Sequence, residues 1–257
     1  MNGILKSMKA DLKQNLATLF YPRSIAVVGS SPDRGELGYN ITENLIRFNF
    51  PGAIYPINPR YTEIFGLPTY PSLAAIGTPI DLVLCAVGAK ATIEVARECS
   101  MLEVKGLVAY AANFREVGPE GKKLEAALNE IADRTGLTVL GPNTPVFING
   151  NIPLNATFFP FRVQKENIAI MTQSGGVGGG IYSKALEENT PVGLWIGVGN
   201  RANLDFGDLL LYLGQDETVD VVGIYIGGYG KRGSIRFCRG KGNFPQTGYS
   251  IQGRPYW

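Results

Sequence analysis

The sequence predicts an α/β fold in which mainly parallel sheets are covered by helices on both faces. Short apolar runs alternate along the chain with stretches of helical spacing. The runs are almost continuously apolar, which is typical of parallel strands buried on both faces. At 257 residues the chain is long enough for two such units, each with its own core. A doubly wound sheet binds its ligand at the carboxyl ends of its strands.

Five apolar runs in the first half are predicted to form strands. They lie at residues 25–28, 53–58, 82–87, 106–112 and 137–140. Helices are expected to begin near Gly38 or Tyr39 and to span 89–100 and 119–135. The last of these opens on Pro119 and is followed by Gly136, as capping preferences favour. We expect a leading helix at 1–19 and a first domain at 20–145.

The pattern restarts in the second half, after a connection at 141–165 that is rich in Pro and Asn and is predicted to be irregular. Strands are predicted at 167–172, 192–198 and 221–226, with helices at 177–188 and 206–213 between them. Asp205 either caps the last helix or orients a functional loop. The second domain is expected at 146–228 and a basic irregular tail at 229–257.

The composition excludes several kinds of chemistry. The chain has no histidine, so it lacks Ser-His-Asp catalysis, a phosphohistidine of its own and the commonest metal ligand. Cys85, Cys99 and Cys238 match no zinc spacing and are expected to be reduced thiols in the cytoplasm. No apolar run approaches the roughly 20 residues that a membrane span needs. Neither a metal nor a membrane is expected.

The turn after the first predicted strand is a candidate phosphate site. It passes through Gly29, Ser30 and Ser31 and leads into a helix. A strand, a tight turn and a helix N-terminus gather backbone N–H groups and the positive end of a helix dipole, which favours an anion. The G-x-G-x-x-G spacing of a dinucleotide-binding turn is absent, because the segment is Gly-Ser-Ser-Pro.

The end of the second predicted strand narrows the choice of ligand. Dinucleotide-binding folds place Asp or Glu there to hold a ribose 2′-OH. This chain instead continues into Asn58, Pro59 and Arg60. A cation at this corner suits a phosphorylated ribose, which both NADP and the 3′-phosphate of coenzyme A provide. The alternative is a solvated loop charge.

The glycine-rich segment 173–180 admits three functional interpretations. Ser174 in a nucleophile elbow would need a base, and the chain has no histidine. A Walker A loop would need a Gly-Lys-Ser/Thr ending, which is absent. In the third, the Ser174 hydroxyl and the N–H groups of Gly175 and Gly176 receive a phosphoryl group at a helix N-terminus. The structural alternative is that the glycines only allow close helix–sheet packing.

An ordered series of segments resembles one family. The segments are FYPRSIAVVGSS, YPINP, GLPTYPSL, IDLVLCAV, LGPN, LNATF, TQSGGVGGGI, GVGN and LDFGDLLLYL. From about Phe20 to Gly228 the chain is similar to the α-subunit or α-half of the NDP-forming acyl-CoA synthetases, which include ADP-forming acetyl-CoA synthetase and succinyl-CoA synthetase. The resemblance implies a Rossmann-like CoA-binding domain followed by a flavodoxin-like ligase domain, which is expected to be incomplete here.

The resemblance also implies which residues bind the ligands. Coenzyme A would place its diphosphate at the first turn, its adenosine phosphate at the Arg60 corner and its pantetheine along the strand ends. The predicted coenzyme A residues are Gly29, Ser30, Ser31, Asn58, Pro59, Arg60, Val87, Gly88, Asn113, Phe114 and Asn143. The predicted phosphate residues, which would face the family's phosphorylated histidine, are Ser174, Gly175 and Gly176. Gly88 and Thr144 stand where the family often has Pro and Cys.

The resemblance is expected to end after Ile226, because Gly227 replaces a family glutamate. Residues 229–257 contain six Lys or Arg and no acid, so 24 − 6 basic residues against 22 acids leave −4 in the rest of the chain. The segment shows no helical or strand periodicity. A shifted reading frame or truncation, a basic extension for RNA or an acidic surface, and a divergent folded element are the alternatives.

The family reaction converts acyl-CoA, phosphate and NDP into acid, CoA and NTP through an acyl phosphate and a phosphorylated histidine. Because the chain has no histidine, we expect an α-like portion that binds CoA or acyl-CoA and is inactive alone. An ATP-grasp subunit of β type is a possible partner, and nucleic acid is not expected. The alternatives are an NADP-binding oxidoreductase domain and a non-catalytic module for acyl-CoA sensing or subunit pairing.

Overall fold

The computed structural model describes residues 10–190, 192–227, 234–239 and 249–252. Two main sheets and their helices form the described part of the chain, which confirms the α/β fold class. The α-helices are α1 (Ala10–Phe20), α2 (Leu37–Arg47), α3 (Ala89–Met101), α4 (Pro119–Thr135), α5 (Gly175–Glu187) and α6 (Phe206–Leu213). The leading helix is thus described from Ala10, and residues 1–9 lie outside the described part.

Among the described residues, the first sheet has five strands, all parallel. The strands of the first half are β1 (Ser24–Val28), β2 (Ala53–Ile57), β3 (Glu63–Ile64), β4 (Leu67–Pro68), β5 (Leu82–Cys85), β6 (Gly106–Ala109) and β7 (Thr138–Leu140). β3 and β4 form a separate short hairpin, and the sheet order is β2-β1-β5-β6-β7. The strand order changes direction at β1, so a crevice opens where β1 and β5 end, as ligand sites in such folds require.

The second sheet has seven strands within the described residues and is mixed, so the expectation of mainly parallel strands was wrong for this sheet. Its strands are β8 (Val146–Asn149), β9 (Leu154–Thr157), β10 (Ile168–Thr172), β11 (Leu194–Gly197), β12 (Val221–Ile226), β13 (Ser234–Arg239) and β14 (Tyr249–Gln252). The order is β14-β13-β12-β10-β11-β8-β9, in which only β10, β11 and β12 run parallel. β10 is the central strand of the parallel part, and α5 begins just after it.

Two local predictions were wrong. The connection at 141–165 contains the β8–β9 hairpin. Its strand β8 pairs with β11, so the hairpin backbone forms hydrogen bonds within the second sheet. The segment 229–257 contains β13 and β14, and the rest of it lies outside the described residues. Both errors have one cause. A segment can pair with the open edge of a sheet through backbone hydrogen bonds alone, so it forms a strand without a strong side-chain periodicity.

The chain passes from the first sheet to the second between β7 and β8. The predicted domain limits remain predictions. One hydrophobic cluster nevertheless runs through both halves of the molecule. Phe20, at the end of α1, stacks on Tyr212 of α6 with ring centroids 4.9 Å apart and meets Phe147 of β8 edge-on at 5.4 Å. The Asn149 side chain also donates to the Phe20 carbonyl at 2.8 Å. These contacts set the position of one sheet relative to the other.

None of the helices in the described ranges is long and apolar enough to cross a membrane. The described residues contain no group of three or more His, Cys, Asp or Glu that could hold a metal ion. Cys85 and Cys99 are buried free thiols. Burial raises the pKa of Cys85 to about 11, so its thiol stays protonated at neutral pH.

Candidate functional site

The turn after β1 requires glycine at its first position. Gly29 has φ 86°, in the left-handed region. A Cβ atom there would lie 2.8 Å from Val87 Cγ1 and 2.9 Å from the Ala86 carbonyl oxygen. The end of β1 therefore touches the segment that follows β5. The structure brings the predicted pair Gly29 and Val87 into contact at the crevice.

Helix α2 begins directly against this turn. A Cβ atom on Gly38 would overlap the Gly29 carbonyl group, so no larger residue fits at position 38 unless the helix moves away from the turn. The Ser30 hydroxyl is fully buried and shares a hydrogen bond of 2.8 Å with the Thr42 hydroxyl one turn further along α2. The helix N-terminus is thereby held against the turn.

Two N–H groups of the turn are already used within the fold. Gly29 N–H donates to the Ile57 carbonyl at 3.0 Å, and Ser30 N–H donates to the Val27 carbonyl at 3.3 Å. An anion bound here would therefore interact with N–H groups from Ser31 onward, into the first turn of α2, whose N–H groups have no partner within the helix. The fold assigns Gly29 and Ser30 to shaping the turn.

Asn58 joins the first turn to the Arg60 corner. Its Nδ2 donates to the Ser30 carbonyl at 2.8 Å, and its Oδ1 accepts from the backbone N–H of Arg60 at 3.0 Å. Pro59 and Arg60 are exposed at the end of β2. The Asn58 side chain thus links the backbone of Arg60 to the backbone of Ser30 through two hydrogen bonds. The predicted diphosphate turn and the predicted adenosine-phosphate corner lie side by side.

A first cavity, of about 500 Å³, lies between the N-terminal ends of α3 and α4. Gly88, the N-cap of α3, and Asn113 both line it, together with Lys90 and Val117. Asn113 has φ 73° and forms the predicted bend. The neighbouring Phe114 side chain is fully buried in the core, so it supports the bend from behind and does not face the cavity.

A second cavity, of about 390 Å³, joins the two halves of the molecule. Asn143 lines it from the first half, and Ser174 and Gly175 line it from the second. Its walls include Tyr110 and Phe158. The structure therefore places the last predicted coenzyme A residue beside the predicted phosphate turn, which spacing along the sequence did not reveal.

The turn at Ser174 caps helix α5 and leaves the first turn of that helix accessible to solvent. Ser174 caps α5, and its Oγ accepts from the N–H of Val177 at 3.4 Å. A Cβ atom on Gly175 would overlap Pro145, whereas one on Gly176 would meet nothing within 4 Å. Gly175 is thus needed for packing, and Gly176 presents the open first turn of α5 to solvent.

Asn200 is the main functional candidate that the sequence interpretation did not single out. It is buried at the junction of the two halves. Its Nδ2 donates to Glu116 at 2.6 Å and to Glu125 at 3.0 Å, and its Oδ1 accepts from Asn143 at 3.4 Å. Arg115 pairs with Glu125 at 3.3 Å and donates to the Asn200 carbonyl. The GVGN segment was the only sequence signal for this residue.

Hydrogen bonds favour the ionised form of Glu116 at this junction. Partial burial disfavours the charged form of Glu116, but donation from Asn200 and from backbone N–H groups outweighs it, so the pKa of Glu116 lies below its ordinary value. Nearby, burial raises the pKa of Tyr110 well above its ordinary value, and its hydroxyl donates to the Ala156 carbonyl at 2.6 Å. The cavity wall at Tyr110 is therefore neutral.

Two known domain families match the chain in tandem. Residues 23–150 match the family described as "CoA binding domain", and residues 165–239 match the family described as "Succinyl-CoA ligase like flavodoxin domain". The second match continues past Ile226, where the resemblance was expected to end, so that expectation was wrong. The matched range ends with strand β13.

Known relatives narrow the class. The chain is 40% identical over 210 residues to acetate–CoA ligase [ADP-forming] I of Archaeoglobus fulgidus, covering 82% of this chain and 30% of the relative. It is 39% identical over 209 residues to acetate–CoA ligase [ADP-forming] II subunit alpha of Pyrococcus furiosus, covering 81% of this chain and 45% of that subunit. The matched part of the chain thus covers less than half the length of each of these two curated relatives.

A solved structure shows the same arrangement. It is the "dinucleotide forming" acetyl-coenzyme A synthetase 1 of Ca. Korarchaeum cryptofilum in complex with phosphate and ADP. The TM-score is 0.80 at 36% identity, covering 84% of this chain and 46% of that one. The chain therefore belongs to the NDP-forming acyl-CoA synthetase family and corresponds to the α-type part of its ADP-forming members.

Proposed function

We propose that this chain binds coenzyme A along the carboxyl edge of the first sheet, as the CoA-binding portion of an NDP-forming acyl-CoA synthetase. One observation carries the proposal: Asn58 bridges the Ser30 carbonyl and the Arg60 backbone, at 2.8 and 3.0 Å. A cationic corner beside a phosphate-binding turn suits a ligand that is phosphorylated at both the ribose and the diphosphate.

In this proposal the ligand follows the strand ends in order. Arg60 binds the 3′-phosphate, and the turn from Ser31 into α2 binds the diphosphate. The pantetheine passes Val87 and Gly88, and its thiol reaches the cavity that Asn143 lines. Coenzyme A acts there as a substrate. The matched CoA-binding family over 23–150 supports this assignment.

The proposed chemistry takes place in the second cavity. Acyl-CoA and phosphate exchange to give acyl phosphate and free CoA, and the phosphoryl group then passes to NDP to give NTP and the acid. Ser174 and the first N–H groups of α5 are proposed to hold the phosphoryl group. These 257 residues contain no histidine, so a phosphohistidine and the nucleotide site would come from outside them. We propose an ATP-grasp partner of β type and a cytoplasmic location.

Isothermal titration with coenzyme A and with dephospho-CoA tests the proposal. The unsubstituted chain is expected to bind coenzyme A more tightly, and Arg60→Gln is expected to raise the Kd for coenzyme A roughly tenfold because a charged hydrogen bond is lost. The Kd for dephospho-CoA should hardly change. Arg134→Gln is the matched control, since Arg134 lies at the far end of α4, at the amino edge of the sheet.

Three outcomes decide the matter. Equal affinity for the two ligands would remove Arg60 from the site. Absence of binding to either would overturn the proposal. Tighter binding of NADP than of coenzyme A in the same titration would favour the oxidoreductase alternative.

A further inference from the structure

A chain of hydrogen bonds joins the two cavities of the candidate site. Glu116 Oε1 accepts from the backbone N–H groups of Asn113 at 2.6 Å and of Phe114 at 3.1 Å. Its other oxygen, Oε2, accepts from Asn200 Nδ2 at 2.6 Å. Asn200 Oδ1 accepts in turn from Asn143 Nδ2 at 3.4 Å. The series therefore runs from a residue of the first cavity to a residue of the second.

Both ends of the series are bends of unusual backbone conformation. Asn113 has φ 73° and Asn143 has φ 57°. Residues other than glycine adopt this region at an energetic cost, and they persist there only when their surroundings hold them. Glu116 supports the first bend directly. The backbone N–H of Asn143 donates to the Ala111 carbonyl at 2.9 Å, which supports the second.

The orientation of the Asn200 amide is determined by its neighbours. Glu116 and Glu125 are both acceptors, so the Nδ2 group must face them and the Oδ1 atom must face Asn143. The backbone of Asn200 is held as well, because its N–H donates to the Pro142 carbonyl at 2.8 Å. Asn200 is 8% exposed, so water does not readily replace these partners.

We propose that Glu116 is a positioning residue for ligand binding. It orients the Asn200 amide, which orients the Asn143 side chain at the second cavity. The inference rests on the proposed function, in which Asn143 closes the coenzyme A site. Glu125 provides the contrast: it bonds to Asn200 and to Arg115 but does not hold the Asn113 bend.

Replacement of Glu116 by Gln separates this role from general packing. The glutamate supplies two acceptor oxygens to two different partners, whereas a glutamine of the same shape supplies only one. Its oxygen is expected to stay with the two N–H groups of Asn113 and Phe114. Its nitrogen then faces Asn200 Nδ2, a second donor. Asn200 then keeps Glu125 as an acceptor for Nδ2 but is repelled by the new donor at position 116, so its amide shifts and its hydrogen bond to Asn143 weakens.

Titration of coenzyme A into a double-mutant cycle tests the inference. We expect Glu116→Gln and Asn143→Ala each to raise the Kd roughly fivefold, and the double variant to bind no more weakly than Asn143→Ala alone. Glu130→Gln, on helix α4, is the control: Glu130 is exposed and pairs with Arg134 at 3.6 Å, so its Kd should stay near that of the unsubstituted chain. Asn200→Ser removes the middle link and should raise the Kd by a similar factor.

Unchanged coenzyme A affinity in Glu116→Gln would overturn the inference. A full additional loss when Glu116→Gln is placed on Asn143→Ala would overturn it too, since Glu116 would then act independently of Asn143. Failure of the unsubstituted chain to bind coenzyme A at all is a different result, because it would refute the proposed function itself.

Discussion

At the scale of single residues, the contact between Gly38 and Gly29 shows how closely α2 approaches β1. Gly38→Ala is expected to lower the free energy of unfolding by roughly 3 kcal/mol, because the added Cβ overlaps the Gly29 carbonyl. Gly207→Ala, also in a helix but with nothing within 4 Å of the added Cβ, should stabilise by about 0.5–1 kcal/mol. Urea denaturation of both variants is the measurement. Equal destabilisation would contradict the packing argument.

The carboxylate of Glu116 gives a second residue-scale prediction, on pH. Its pKa is lower in the folded state than its ordinary value of 4.5, because hydrogen bonds from Asn200 and the backbone outweigh partial burial. Its contribution to stability is therefore present above pH 4.5 and is lost as the pH falls through the folded-state pKa.

The difference in unfolding free energy between the unsubstituted chain and Glu116→Gln should accordingly be flat from neutral pH down to about pH 5.5 and shrink below pH 4.5. Urea titrations at a series of pH values measure it. A difference that stays constant to the lowest pH at which both chains fold would show that ionisation of Glu116 does not matter.

At the scale of elements, α6 shows a complete N-terminal cap. Asp205 Oδ1 accepts from the Phe206 N–H at 2.6 Å, and Asp208 Oδ2 accepts from the Asp205 N–H at 3.1 Å. The capping interpretation of Asp205 is therefore confirmed. Asp205→Ala is expected to cost about 1 kcal/mol of stability, and Asp205→Asn much less, since Asn also caps. Thermal unfolding distinguishes them, and equal losses would argue against capping.

Elements also differ in how well their sequences specify them. The bounds of α4, α6 and β12 agree with those expected, because strong periodicity and clear end signals lie within each segment. The β8–β9 hairpin and β13 were missed, because their strand character comes from pairing with β11 and β12. When the pairing strand lies elsewhere in the chain, the paired segment itself shows no periodicity that would predict a strand.

At the scale of the whole molecule, the shared core predicts that both halves unfold together. Phe20 of α1 packs on Phe147 and Tyr212, which belong to the second half. Trp195 is fully buried in that half, far along the chain from the proposed coenzyme A turn. Coenzyme A at a hundred times its Kd should therefore raise the free energy of unfolding measured by Trp195 fluorescence by about 2.7 kcal/mol. The free energy of unfolding measured by circular dichroism should rise by the same amount.

A Trp257→Phe background isolates the Trp195 fluorescence, because the chain has two tryptophans. Coincident transitions, shifted equally by coenzyme A, are expected. A fluorescence transition that coenzyme A leaves in place would mean that the halves unfold separately.

Residues close together along the chain specify the local units: the strand–turn–helix at Gly29, the Asp205 cap and the α/β class. Each depends on residues a few positions apart, where steric and hydrogen-bonding preferences act directly. Long-range packing is what brings Asn58 to Ser30, Asn143 to the cavity of Ser174, and Glu116 to Asn200, 84 positions away. Such meetings depend on strand order and on how two sheets pack, and no spacing along the chain encodes which strand ends become neighbours.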